Sequence, residues 1–174
     1  QLEPVGSVQD IQMPVGGVAD QILVQEGDAV KAGQVLMKLD TEATEEQRLS
    51  LETTIKLKQE QLRLKDQEKQ RYLQVNDEEV EMLENNLELQ SEILERFEEL
   101  EEAGAQSELQ YLSQQNTVEE TRGRLMQSKA ERLRQVALLE QQTAQLNSEL
   151  ADLTGRLAEA RVTLRYQQLR SPVD

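Results

Sequence analysis

The chain has 174 residues, of which 37% are hydrophobic and only 2% aromatic, with one Phe, three Tyr and no Trp. That is too little bulky material for a large globular enzyme core. With 34 acidic against 19 basic residues the formal charge is −15, which excludes a nucleic-acid or anionic-membrane partner held by bulk charge.

No His and no Cys occur, so imidazole general bases, Ser-His-Asp or Cys-His nucleophiles and thiolate or imidazole metal sites are absent. The expectation is a protein that is not an enzyme and carries no catalytic, cofactor-binding or metal residue. No apolar run approaches the length of a membrane span or a signal core. Any membrane anchor is expected outside residues 1–174.

Residues 1–40 carry the first elements. Val15-Gly16-Gly17-Val18 leads into a β-branched run to Val24, Glu26-Gly27-Asp28 reads as a turn, and Val35-Leu36-Met37-Lys38-Leu39 reads as a second short strand. Gly16-Gly17 lacks the Lys-Ser/Thr continuation of a phosphate loop and is expected to be a backbone turn. So few strands are not stable alone, and further ones are expected elsewhere in the parent chain.

From Asp40 to Leu169 there is no Pro, and Gly occurs only at 104, 123 and 155. Glu, Gln, Leu, Lys, Arg and Ala dominate, the composition of long helix. Val136, Leu139, Thr143, Leu146, Leu150, Leu153, Leu157, Ala160 and Leu164 alternate steps of three and four, a coiled-coil seam. Leu73, Asn76, Val80, Leu83, Leu87, Gln90, Leu94 and Phe97 form the matching set in the first half. Asn76, Gln90 and Thr143 are polar positions in it, read as register-setting or tolerated rather than as ligands. Leu89, Ile93 and Leu100 make a second apolar line, either a broad seam or a lateral contact with neighbouring copies. The Glu runs lack the spaced oxygen ligands of a calcium loop and read as a solvated helix face.

Gly104 suits the residue just past a helix end, and Ser107 with Gln110 three residues on suits the start of another. The expected architecture is mainly α: a long antiparallel two-helix hairpin over 41–168, its tip at about 102–107. A small β portion stands at its base, formed by 1–40 and by a further piece beginning at 169. Charge tests the register. Asp77 to Glu102 holds twelve acidic residues and one base, Arg96, while Arg122, Arg124, Lys129, Arg132 and Arg134 crowd the second arm. A fold near 104 and 105 sets residue n beside residue 209 minus n and brings those bases against Asp77, Glu78, Glu79, Glu81 and Glu84. Arms of about 60 residues would extend roughly 90 Å.

Residues 11–18 and 22–40, Ile-Gln-Met-Pro-Val-Gly-Gly-Val and Ile-Leu-Val-Gln-Glu-Gly-Asp-Ala-Val-Lys-Ala-Gly-Gln-Val-Leu-Met-Lys-Leu-Asp, resemble the first half of a biotinyl/lipoyl-type domain. In carrier members the stretch continues into Glu-Thr-Asp-Lys-Ala with the Lys modified. Here it reads Asp40-Thr41-Glu42-Ala43-Thr44, with Ala43 at the modified position. A lipoyl-like half interrupted by a long hairpin resembles the membrane fusion proteins, periplasmic adaptors of efflux pumps and type I secretion systems, and most of all their HlyD-like branch. Arg170-Ser171-Pro172-Val173-Asp174 is similar to that family's opening of the second lipoyl half. Arg96, Leu100 and Ser107 match in spacing the Arg-Leu-Ser/Thr motif with which family hairpins engage the outer-membrane channel.

The resemblance implies a periplasmic protein, anchored in the inner membrane, that bridges an inner-membrane transporter, ABC type foremost, to a TolC-like channel. It also implies a ring-forming homo-oligomer, commonly a hexamer, and channel-binding residues Arg96, Leu100, Gly104 and Ser107. Read without the resemblance, Arg96 is a salt-bridge partner, Leu100 the edge of the seam and Ser107 an N-cap. A biotin or lipoyl carrier domain and a rod-like tethering coiled coil remain as alternatives.

Overall fold

The computed structural model describes residues 9–102 and 108–172. Its elements are β1 (Ala19–Ile22), β2 (Val35–Leu39), α1 (Glu42–Glu102), α2 (Glu108–Tyr166) and β3 (Gln168–Arg170). Two long helices run side by side in opposite directions, and three short strands form one antiparallel sheet in the order β1-β2-β3. The continuous rod is thereby excluded.

The chain divides into two compact units, 1–59 with 148–174, and 60–147. In the first, β2 is the central strand, pairing Met37 with both Ile22 and Leu169. The β-branched run expected to Val24 forms regular strand only over Ala19–Ile22. A bulge between Ala19 and Gln21 interrupts the pairing, and the Leu23 N–H still donates to the Leu36 carbonyl at 2.9 Å. Gly27 turns the chain with φ +94°, and Gly33 does so with φ +80°, a region that L side chains rarely enter. Gly17 has a packing role that its reading as a turn did not contain: a Cβ there would stand 2.9 Å from Cδ1 of the buried Leu39.

Gln167 ties the start and finish of the helices together. Its buried side-chain amide donates to the Asp40 carbonyl at 3.2 Å and the Thr44 hydroxyl at 3.1 Å, and the Gln167 main-chain carbonyl accepts from the Leu39 N–H at 2.9 Å. Asp40 accepts the Glu42 N–H at 3.0 Å, satisfying an open donor at the head of α1. Farther along, Lys58 pairs with Glu149 at 2.6 Å and Arg161 with Glu52 at 3.0 Å. The Arg161 guanidinium, with Arg48 adding to it, holds the Glu52 carboxyl below the usual carboxylate range.

In the second unit the expected seam is found. Asn76, Leu83 and Leu139 are buried, and Leu73, Val80, Leu87, Gln90, Leu94, Phe97, Val136, Thr143 and Leu146 are half-buried. In the first unit Leu157 and Ala160 are buried and Leu150, Leu153 and Leu164 half-buried. The expected charge alignment is found in two exposed pairs, while the seam's hydrogen-bonded pairs Asn76–Ser128 and Gln90–Gln114 have numbers adding to 204. Arg132 reaches Asp77 and Lys69 reaches Glu140, pairs whose residue numbers add to 209. Lys129 reaches Glu84 at 2.6 Å. Not every base crosses between arms: Arg122 pairs with Glu119 and Arg134 with Glu131 on their own helix.

Candidate functional site

Gly104 and Ser107, and with them the expected helix cap and capping box, lie outside the described residues. Arg96 and Leu100 are described. Both are in α1, four residues apart and so on one face, and both are exposed, Leu100 to 42%.

That face is set beside the seam. Leu94 and Phe97, one step around the helix, are half-buried against α2, whereas Leu89 is 54% exposed and Ile93 half-buried. Leu89, Ile93, Arg96 and Leu100 therefore form one row beside the seam, exposed except at the half-buried Ile93. Among the described residues Arg96 makes no ion pair, and its side chain is exposed. The last turn of α1 has no basic residue. Glu98, Glu99, Glu101 and Glu102 there put negative charge at the negative end of the helix dipole, an unfavourable placement.

Two signals were missed in the sequence. Leu109 and Leu112 at the head of α2 are 76% and 48% exposed, and their departure from the spacing of the half-buried Tyr111 and Gln114 marks them as outward-facing. A row of small residues, Gly123, Ala130, Ala137, Ala144, Ala151 and Ala158, recurs at every seventh position of α2 on exposed helix. Gly123 and Gly155 have no atom within 4 Å of where a Cβ would stand.

Among the described residues no group of three or more His, Cys, Asp or Glu could hold a metal ion. The grooves between the arms are shallow surface features, one lined by Leu64, Leu138 and the glutamines 61, 141, 142 and 145. Ala43 sits exposed in the first turn of α1 and has no amine to modify. No helix among the described residues is long and apolar enough to cross a membrane.

No protein-family model matches the chain, and no curated protein sequence does. Among solved structures, that of the periplasmic adaptor protein EmrA aligns over 94% of this chain with a TM-score of 0.59 at 18% identity. The chain has the fold of a periplasmic adaptor. It spans 63% of the EmrA chain. The soluble domain of LipC, a membrane fusion protein of a type I secretion system, aligns over 97% of this chain and 90% of its own at 18% identity, with a TM-score of 0.45, too low to add to the fold assignment. In this adaptor fold the row through Arg96 and Leu100 belongs to the end of α1 farthest in sequence from the sheet.

Proposed function

We propose that the chain is part of a membrane fusion protein of the HlyD-like branch, a periplasmic adaptor held at the inner membrane. In this reading residues 1–40 and 169–174 belong to a lipoyl-like portion that faces an inner-membrane transporter, ABC type foremost. Residues 41–168 are the hairpin, whose tip docks on a TolC-like outer-membrane channel during export of protein or small molecules. The protein does no chemistry and carries no cofactor, and no nucleic acid takes part.

One observation carries the reading: an adaptor-type hairpin has, on the same face of the last turns of α1, an exposed leucine and an exposed arginine that makes no ion pair among the described residues. Arg can hydrogen-bond carbonyls and carboxylates on a channel, and Leu can fill an apolar groove between its helices. The run of glutamates at the end of α1, an unfavourable end of the helix for negative charge, fits a basic surface on that channel.

The adaptor acts as a homo-oligomer, a hexamer in the assembled system. Support comes from large apolar side chains left exposed at heptad spacing on α1, Leu57 with Leu64 and Val75 with Met82 and Leu89, and from the small-residue row on α2 that permits close approach. The decisive experiment is an export assay on an Arg96→Asp, Leu100→Asp double variant. Loss of export with unchanged helical circular dichroism is expected, and normal export removes the tip assignment.

A further inference from the structure

Besides the polar position Thr143, two layers of the seam in the 60–147 unit are hydrogen-bonded polar pairs. Asn76, only 5% exposed, donates from Nδ2 to the Ser128 hydroxyl at 3.1 Å and more weakly to its carbonyl at 3.4 Å, and the Ser128 hydroxyl donates to Glu79 at 3.2 Å. Gln114 donates from Nε2 to the Gln90 side-chain oxygen at 2.7 Å and to the Gln90 carbonyl at 3.0 Å. Each layer costs stability relative to a leucine pair, and Asn76 Oδ1 is left buried with no partner.

Both pairs have residue numbers adding to 204, and they lie 14 residues apart on either arm. The apolar layers do not distinguish this register from one shifted by a heptad, because leucine and valine recur every seven residues: the shift would set Leu87 against Leu125 and Leu94 against Val118. It would also set Gln114 against Phe97, Gln90 against Thr121 and Ser128 against Leu83, breaking both polar pairs at once.

We propose that Asn76 with Ser128 and Gln90 with Gln114 are positioning residues that select the hairpin register and thereby which residues form its bend. A heptad shift moves the turning point by half a heptad, so Arg96 and Leu100 change their distance from the tip. That consequence for docking rests on the adaptor reading, but the register claim does not.

The test transposes the polar positions of α2 by one heptad without altering composition: Gln114→Thr, Thr121→Gln, Ser128→Gln and Gln135→Ser in the full chain. Spin labels replace Glu84 and Lys129, exposed residues that pair across the arms at 2.6 Å. The labelled parent is expected to give one short distance, and the transposed chain a longer one, because one heptad of helix slides about 10 Å. An unchanged distance in the transposed chain overturns the proposal. If that chain loses helicity, a second variant decides, with Asn76, Gln90, Gln114 and Ser128 all changed to Leu. It is expected to melt higher than the parent and to show two distances about 10 Å apart, whereas a single parental distance overturns the proposal. Neither readout involves export, so failure of the adaptor reading leaves the result standing.

Discussion

At the scale of the residue, the glycines separate into two kinds with opposite predicted effects. Gly17 lies against buried Leu39, and an added Cβ meets Cδ1 at 2.9 Å. Gly17→Ala forces that side chain to shift and is expected to destabilise the chain by about 1 kcal/mol, with Gly17→Val worse. Gly123 and Gly155 stand in exposed helix with open space around them. Each change to Ala is expected to stabilise the isolated chain by about 0.8 to 1 kcal/mol, through helix propensity alone. Urea melts of the three Ala variants check both signs together. The sequence showed Gly16-Gly17 only as a breaker, because what requires a glycine at 17 is a side chain 22 positions away. The spacing of Arg96 and Leu100 could be read from the sequence, but the exposure of the two side chains could not. Sequence alone leaves Leu100 at the edge of the seam, and the structure shows α2 leaving it uncovered to 42%.

At the scale of the element, the seam was readable where leucines mark it and hidden where lysines do. In the first thirty residues of α1 the inward stripe includes Lys58, Lys65 and Lys69, half-buried along their stems. Their amines reach Glu149, Glu68 and Glu140 at 2.6 to 2.7 Å. Hydropathy counts such a lysine as polar, so the repeat was seen only from Leu73 onward. The register was legible from charge because twelve acidic residues on one arm and a basic run on the other admit few alignments. Single exposed pairs add little to stability, so that pattern reports alignment more than strength. Glu52 is the exception worth titrating. Its folded pKa is lowered first by the hydrogen bond from Arg161, so its contribution is present above the ordinary value of 4.5. It is lost as pH falls through the lowered folded pKa. The drop in melting temperature between neutral and strongly acid solution is therefore expected to be smaller in Glu52→Gln than in the parent, and an identical drop contradicts the pairing.

At the scale of the whole molecule, the chain returns to its starting point. Leu39 and Asp40 at the head of α1 are bonded to Gln167 just past the end of α2, and β3 then pairs with β2. Composition and breakers foretold the doubling back, because, of the three glycines in a long interval free of Pro, only Gly104 is midway and is followed by a helix-start signal at Ser107 and Gln110. They could not show that β3 closes the sheet, since three residues of Gln-Leu-Arg carry no strand signature of their own. The carrier alternative loses its chemistry at Ala43. Intact-mass analysis of the chain isolated from cells is expected to show no covalent adduct, and a biotin or lipoyl mass would revive that alternative.

The central claim is that the end of α1 meets an outer-membrane channel. A photoreactive amino acid at Leu100 tests it in exporting cells, with the same group at Leu57, also exposed, as the comparison. The account predicts a cross-link to the channel from position 100 and none from position 57. A cross-link from 57 alone, or none from 100 while export proceeds, would contradict it.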